Sequence, residues 1–407
     1  MGSGFLALFL ALVANAGECE ATGYMQETAS MPLTASRGYK TYSATRALDV
    51  GNYDVEFVFG DKDKPTTNWV KFEGRRIALE KIATKPGEMK KVLFTARVKG
   101  PIAKEDKPTG EAPFPYQLNL TVISDAPRVA MPKITRNDSA RTIYLCGDST
   151  VTDQQAEPWG SWGQCLCVFF KEGTAVSNFA RSGLTTQSFL SQGRLERILA
   201  HLKPCDYVLV QFGHNDQKVE RLAPETGYRE NLNFYIDKIK EKGATPVIIS
   251  PMERLRFNAK TKEQEGKTLE KYAAAAKAVA EDRNVAYIEL NDASWRMYGS
   301  MGCADAPKML CTYSIEDQKR DFWGDAGRQD GKNLRNLQDK THHSIYGAYV
   351  LAHFIADRLG DLFPELKASR REGYREVDVN AVEQDPAIPP SGFVDTTRPE
   401  GDVGNKE

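Results

Sequence analysis

Three short stretches of this 407-residue chain place reactive side chains directly beside apolar runs. In the first, Ser149 follows the apolar residues 142–146 through a Gly-Asp pair. A serine just beyond the carboxyl end of a strand lies at the open edge of a parallel sheet, where its hydroxyl can reach a substrate. The same residues also fit a plain strand-to-helix turn with Ser149 or Thr150 as the helix N-cap, so this stretch alone does not decide the chemistry.

The second stretch brings an asparagine to the end of another apolar run. Residues 207–212 lead into Gly213-His214-Asn215-Asp216. At a sheet edge the Asn215 amide can donate to an oxygen above the edge, although Gly, Asn and Asp also favour ordinary turns. His214 either lines a pocket or faces solvent as a turn residue.

The third stretch, Asp339-Lys340-Thr341-His342-His343, precedes an apolar helical pattern. An Asp and a His three residues apart at the start of a helix can lie on one side of the turn. The Asp339 carboxylate can then fix the tautomer of His342 and stabilise its positive charge. His343 competes for the same role, and the spacing from Asp339 favours His342.

The apolar pattern also predicts the elements that position these residues. Helical stretches, including 228–242 and 268–282, alternate with five apolar strands at 142–146, 175–178, 207–212, 246–250 and 285–290. This alternation predicts a parallel sheet covered on both faces, with the ligand beyond the carboxyl ends of its strands. Residues 39–123 instead show short β-rich runs, which predict a small β-sandwich, at 53–59, 69–72, 92–98 and 116–122.

We therefore predict an α/β fold in which a three-layer α/β/α domain, residues 140–366, follows a β-sandwich domain, residues 25–130. A linker is expected around Pro127, Pro132 and Asn137. The polar tail, residues 370–407, is expected to be disordered or loosely draped. Residues 1–16 fit a cleaved signal peptide, although no Lys or Arg precedes the apolar run, and they predict a secreted or periplasmic protein.

Composition limits the partners. The 54 basic and 55 acidic residues nearly cancel, which gives no reason to expect nucleic acid or an anionic membrane as partner. The seven cysteines lack the spacing of a zinc site, and we predict no metal. Most of these cysteines fit buried small hydrophobes, while Cys303 and Cys311 are candidates for a disulfide.

In order along the chain, these stretches resemble the consensus blocks of the SGNH (GDSL-like) hydrolase family: a GDS serine, a glycine, a G-x-N-D asparagine and a final D-x-x-H. Gly183, within residues 176–183, fits the glycine block. More narrowly, the sequence is similar to the rhamnogalacturonan acetylesterase branch in the residues around Ser149, in Trp162-Gly163, and in residues 212–216 and 339–342. Two departures, Arg181-Ser182-Gly183-Leu184 and a long segment at 294–338, bear on the substrate pocket.

The resemblance implies a flavodoxin-like SGNH hydrolase fold and a catalytic triad in which Ser149 attacks, His342 is the base and Asp339 orients it. It also implies an oxyanion hole made by the backbone N–H groups of Ser149 and Gly183 and the Asn215 side chain. Trp162 and His214 are candidates for contact with the substrate, although Trp162 equally fits a position in the core.

The function implied is that of a secreted esterase that deacetylates a plant cell-wall polysaccharide such as rhamnogalacturonan, with no metal or cofactor. Two alternatives stay open. One is an esterase for lipid or thioester acyl groups, and the other is a catalytically dead carbohydrate-binding protein. The β-sandwich either binds carbohydrate or covers one side of the catalytic domain.

Overall fold

The computed structural model describes residues 18–19, 23–28, 38–73, 75–100, 116–154, 159–311 and 339–381. The predicted signal peptide and residues 382–407 of the predicted tail lie outside the described residues.

The front part of the chain is a β-sandwich, as the sequence predicts. One antiparallel sheet has the strand order β1-β9-β4-β7 and the other has the order β2-β3-β8-β5-β6. The rings of Phe72 in β5 and Phe94 in β7 meet between the two sheets, with centroids 5.5 Å apart. The strands are β1 (Glu18–Cys19), β2 (Gln26–Thr28), β3 (Lys40–Leu48), β4 (Gly51–Phe59), β5 (Thr66–Phe72), β6 (Arg76–Thr84), β7 (Lys90–Val98), β8 (Tyr116–Ser124) and β9 (Lys133–Arg136).

The predicted linker is wrong in part. Lys133–Arg136 form β9, which pairs antiparallel with β4, for example Ile134 with Val55. Pro132 stands immediately before this strand, where a missing N–H costs no ladder hydrogen bond. The sandwich therefore reaches closer to the second part of the chain than the proline pattern indicates.

A five-stranded parallel sheet with the order β11-β10-β12-β13-β14 forms the second part, which confirms the predicted α/β fold. Leu145 of β10 is in register with Asn178 of β11, and Gly147 of β10 with Gln211 of β12. The carboxyl ends of these three strands therefore lie side by side. The strands are β10 (Arg141–Gly147), β11 (Thr174–Asn178), β12 (Tyr207–Gln211), β13 (Thr245–Ile249) and β14 (Ala286–Ile288).

Helices cover both faces of this sheet. Tyr144 and Cys146 of β10 join a core with α2 to α5, whereas Ile143 and Leu145 join a second core with α1, α6 and α7. That second core is continuous with the interior of the β-sandwich. The helices are α1 (Trp162–Cys165), α2 (Thr186–Ser191), α3 (Arg194–Leu199), α4 (Gly227–Glu241), α5 (Glu270–Asp282), α6 (Leu290–Asp305), α7 (Ile345–Leu362) and α8 (Pro364–Lys367).

The first residues of the predicted tail pack against the protein instead of being loosely draped. Arg371 donates hydrogen bonds to the carbonyls of Val168, Leu93 and Ala78, at 2.6, 3.1 and 2.9 Å. These carbonyls belong to the catalytic part and to both sheets of the sandwich. Residues 370–381 therefore form a strap, which we call the C-terminal strap, across the junction of the two parts.

Six cysteines are free thiols: Cys146, Cys165, Cys167, Cys205, Cys303 and Cys311. Cys303 and Cys311 are among them, so the candidate disulfide does not form. Among the helices that the structure describes, none has the length and apolar character needed to cross a membrane.

Candidate active site

Ser149 lies two residues beyond the end of β10, in a tight turn that is closed by Asp148. The Asp148 Oδ1 atom accepts hydrogen bonds from the backbone N–H and the hydroxyl of Thr150, at 2.9 and 2.8 Å. A Cβ on Gly147 would come 2.3 Å from the Val151 side chain, so the turn needs glycine at this position. The turn holds Ser149 at the sheet edge, with 7% of its surface exposed.

The structure brings Ser149, His342 and Asp339 together from parts of the chain nearly 200 residues apart. The Ser149 Oγ atom lies 2.7 Å from Nε2 of His342, and Nδ1 of that ring lies 2.6 Å from Oδ2 of Asp339. The second carboxylate oxygen of Asp339 accepts from the backbone N–H groups of Thr341 and His342, at 2.8 and 2.9 Å. Both oxygens of Asp339 are therefore held in place.

The ionisation of Asp339 suits this arrangement. Burial alone would raise the pKa of its carboxyl group, but hydrogen bonds from the His342 ring and from two backbone N–H groups outweigh burial and lower the pKa to about 2. The carboxylate is therefore charged over the whole neutral range. A charged acceptor on Nδ1 favours the tautomer in which Nε2 is free to accept a proton.

His343, the competing imidazole, faces away from Ser149. It is buried, and its Nε2 atom lies 2.8 Å from the Tyr298 hydroxyl. Burial lowers the pKa of His343 to about 3, so the ring stays neutral in the folded protein at ordinary pH. The two adjacent histidines thus have different environments, and only His342 contacts the serine.

The three hydrogen-bond donors that the sequence predicts for an oxyanion hole belong to the segments after β10, β11 and β12, whose carboxyl ends lie side by side. The backbone N–H groups of Ser149 and Gly183 have no acceptor among the described residues. The Asn215 side chain donates one amide hydrogen to the Leu184 carbonyl at 3.1 Å, which ties it to the loop that carries Gly183. Gly183 has φ of +81°, a left-handed conformation that favours glycine even though space for a side chain is open.

Trp162 lies in the core, the second of the two positions that its sequence context allows. Its ring is 1% exposed and fills the core, and its N–H donates to Gln211 Oε1 at 2.7 Å. Gln211 in turn donates to the Thr150 hydroxyl at 2.6 Å. A large aromatic ring is stable in the core when its N–H finds an acceptor, as this one does. Through Gln211, the indole supports the turn that carries Ser149 and Thr150.

His214 is also buried, with 3% of its surface exposed, so it offers no open face to a polysaccharide in this structure. Its Nδ1 atom lies 3.7 Å from Oδ2 of Asp148. Burial acts to raise the pKa of Asp148, but the nearby His214 and the two donors of Thr150 outweigh it and leave the pKa below its usual value. The ring is part of the support beneath the nucleophile turn.

Glu253 and Arg254, which the sequence did not single out, follow β13, and Arg254 holds the loop of Asp339 and His342. Arg254 donates from Nε to the Thr341 hydroxyl at 3.2 Å, and the Leu255 N–H donates to the Lys340 carbonyl at 2.9 Å. Glu253 is buried and accepts a hydrogen bond from the N–H of Leu269 at 3.0 Å, which fixes the residue that precedes Arg254. The available signal was their position just past β13, at the same sheet edge as Ser149.

No set of three or more His, Cys, Asp or Glu side chains in the described ranges is grouped closely enough to hold a metal ion.

Comparison with known proteins identifies the family. Residues 145–307 match the GDSL-like Lipase/Acylhydrolase family. Rhamnogalacturonan acetylesterase RhgT of Bacillus subtilis is 34% identical over 239 residues, which are 58% of this chain and 97% of that relative. The chain belongs to the GDSL-like lipase/acylhydrolase family. It is a carboxylic ester hydrolase of the rhamnogalacturonan acetylesterase-like branch, as the order of its sequence blocks predicts.

Two further Bacillus subtilis proteins are similar to this GDSL-like hydrolase. The probable rhamnogalacturonan acetylesterase YesY of Bacillus subtilis is 37% identical over 231 residues, 55% of this chain and 94% of that relative. The crystal structure of YxiM from Bacillus subtilis covers 83% of each chain with 23% identity and a TM-score of 0.46. The family match includes Ser149, Gly183 and Asn215, and it ends before Asp339 and His342.

Proposed function

We propose that this hydrolase is an exported carbohydrate O-acetylesterase that removes acetyl groups from a plant cell-wall polysaccharide such as rhamnogalacturonan. The observation that carries the proposal is the unbroken hydrogen-bonded series from Ser149 through His342 to Asp339, with separations of 2.7 and 2.6 Å. The substrate class is supported by the names of two Bacillus subtilis relatives, the rhamnogalacturonan acetylesterase RhgT and the probable rhamnogalacturonan acetylesterase YesY.

In the proposed reaction, Ser149 Oγ attacks the carbonyl carbon of the acetyl group while its proton moves to Nε2 of His342. The bond to the sugar oxygen then breaks, and His342 returns the proton to that oxygen. Water attacks the acetyl-serine, gives a proton to His342 and releases acetate, after which Ser149 regains its proton. Asp339 keeps the imidazole oriented and stabilises its positive form in both halves of the cycle.

The negative charge that develops on the carbonyl oxygen would be met by the N–H groups of Ser149 and Gly183 and by the free amide hydrogen of Asn215. Donors fixed before the reaction stabilise a developing oxyanion without reorganisation, and each typically contributes about 3–4 kcal/mol. The bond from Asn215 to Leu184 holds the amide in this orientation.

We also assign residues 1–16 to a signal peptide, residues 140–366 to the catalytic domain and residues 25–130 to the sandwich domain, which β9 extends to Arg136. Export suits an enzyme whose polymeric substrate lies outside the cell. The near balance of acidic and basic residues suits a substrate that is not gathered by charge alone.

The test is acetate release from acetylated rhamnogalacturonan, xylan and mannan by the wild-type protein and by Ser149→Ala. We expect release from rhamnogalacturonan that Ser149→Ala abolishes, while the surface change Ser191→Ala leaves it intact. Activity that increases with acyl length on lipid or thioester substrates would favour the other esterase class. Binding of a polysaccharide without any turnover would instead favour a dead carbohydrate-binding protein.

A further inference from the structure

A buried arginine of the β-sandwich reaches into the catalytic domain beside the nucleophile turn. The Arg76 side chain, at the start of β6, is 0% exposed and pairs with Asp153, four residues after Ser149. Its Nε and Nη2 atoms donate to Oδ2 of Asp153 at 2.9 and 2.6 Å, and Nη1 donates to the Val176 carbonyl at 3.0 Å. One guanidinium therefore bonds both to the segment after Ser149 and to β11.

The other oxygen of Asp153 continues this connection toward the oxyanion loop. Oδ1 accepts from the Asn178 amide at 3.0 Å, and the same amide donates to the Val151 carbonyl at 2.7 Å. The Asn178 oxygen then accepts the backbone N–H of Ala180 at 3.0 Å, three residues before Gly183. Asp153 thus joins the segment after Ser149 to the loop that presents Gly183.

Arg75 adds a second connection from the sandwich. It donates from Nη1 to the carbonyls of Gln154 and Trp159, at 2.9 and 2.8 Å. The Gln154 side chain donates to the carbonyl of Ser149 itself at 2.7 Å. The backbone of Ser149 is therefore held by a residue whose own backbone is held by the sandwich.

Stability alone does not explain a charged pair at this place. A continuous apolar core already joins the sandwich to the catalytic domain, and well-packed apolar residues often replace a buried ion pair without loss of stability. A planar guanidinium supplies something that an apolar contact lacks, namely donors in fixed directions. Here the donors of Arg76 bond to Asp153, in the segment that follows the proposed nucleophile, and to Val176 in β11, the strand that precedes the loop of Gly183.

We propose that Arg76 is a positioning residue for catalysis. Through the pair of Arg76 with Asp153, the β-sandwich contributes to the activity of the catalytic domain. The inference rests on the proposed roles of Ser149 and Gly183. Without the pair, the turn shifts relative to His342 and the Gly183 loop. A displacement of about 1 Å at a reacting group can cost on the order of a hundredfold in rate.

The experiment compares kcat and KM of wild type, Arg76→Met, Arg76→Lys and Arg76→Met/Asp153→Leu on two substrates, 4-nitrophenyl acetate and acetylated rhamnogalacturonan. We expect Arg76→Met to lower kcat roughly 10- to 100-fold on both substrates, with KM changed less than about threefold. Arg76→Lys restores part of kcat. The double variant removes both charges of the pair, and Lys99 loses its 3.8 Å contact with Asp153 but keeps its hydrogen bond to the Asn178 carbonyl. We expect it to regain part of the stability in urea unfolding but not kcat.

Arg371→Met is the matched control, because Arg371 also bridges the sandwich and the catalytic domain but does not touch residues 149–153. We expect it to reduce stability and to leave kcat near the wild-type value. An equal loss of kcat in Arg371→Met would overturn the specific role of Arg76.

Other outcomes are equally distinct. A rise in KM for the polysaccharide alone, with normal turnover of the aryl ester, would mean that the sandwich binds carbohydrate and that Arg76 does not position the turn. If Arg76→Met does not fold, Asp153→Glu tests the same point, since it keeps the charge and moves the carboxylate by one methylene. Its kcat at the wild-type value would refute the inference, whereas activity retained by Ser149→Ala would refute the proposed function itself.

Discussion

Replacing Asp339 by asparagine tests how the carboxylate controls the imidazole. One oxygen of Asp339 already accepts two backbone N–H groups, from Thr341 and His342, and the other faces Nδ1 of His342. An asparagine in the same place keeps its single oxygen toward the two N–H groups. Its NH₂ group then faces Nδ1, which forces the ring proton onto Nε2, and His342 can no longer accept the proton of Ser149.

The magnitude follows from the same contacts. Burial is outweighed by hydrogen bonds that hold the pKa of Asp339 at about 2 instead of 3.8, which corresponds to roughly 2.5 kcal/mol of stabilisation of the charge. Turning the asparagine over would restore the tautomer but leave two N–H groups without an acceptor, at about 1–3 kcal/mol each. With each N–H group at the lower end of its range, the sum is about 4.5 kcal/mol, which predicts a loss of at least roughly 10³-fold in kcat.

The assay is steady-state acetate release or hydrolysis of 4-nitrophenyl acetate, with folding checked by circular dichroism. Asp282→Asn, a change of the same kind at an exposed aspartate that pairs with Arg229, is the matched control and is expected to keep full activity. Asp339→Ala is expected to be no less active than Asp339→Asn, because alanine does not impose the wrong tautomer. A folded Asp339→Asn enzyme with more than a tenth of the wild-type kcat would refute the reasoning.

Two further predictions concern the oxyanion donor and the second histidine. Asn215→Ala is expected to lower kcat on the order of 10²- to 10³-fold with little change in KM, and a purely KM effect in steady-state kinetics would contradict it. Burial lowers the pKa of His343 to about 3, so the folded protein binds fewer protons than the unfolded chain between pH 3 and 6.5 and loses stability as the pH falls through that range. From pH 7 to 5 this loss of unfolding free energy is roughly 2 kcal/mol, and His343→Gln is expected to remove it in urea unfolding. Burial raises the pKa of Asp216 to about 6, which opposes the loss equally in both proteins. Identical dependence of stability on pH in the two proteins would disprove the assignment.

The parallel sheet and the residues at its edge could be predicted from sequence because their signals are local. The strand that ends before Ser149 is an uninterrupted apolar run, and Asp339 and His342 are separated by the spacing of a single turn. Helix α4 is displaced by only one residue at each end from its predicted range, since its apolar face repeats regularly. Parallel strands buried on both faces leave such a pattern wherever they occur.

The parts that escaped prediction depend on contacts between distant residues. Nothing in the sequence around Trp162 distinguishes a ring that stacks on sugar from one whose N–H is satisfied by Gln211 inside the core. Arg76 begins a strand that looks like any other in the sandwich, and its partner Asp153 is 77 residues away. The prolines on the amino-terminal side of β9 indicate a linker, so this strand was not predicted. Its pairing with β4 is visible only in three dimensions.

The C-terminal strap has a consequence for the order of biosynthesis. Arg371 supplies the hydrogen bonds for carbonyls at Ala78 and Leu93 that leave the ribosome nearly 300 residues earlier. Until the strap emerges, those two carbonyls lack the hydrogen bonds that Arg371 donates. We therefore expect the sandwich to assemble early during translation and to lock against the catalytic domain only when most of the polypeptide has been made.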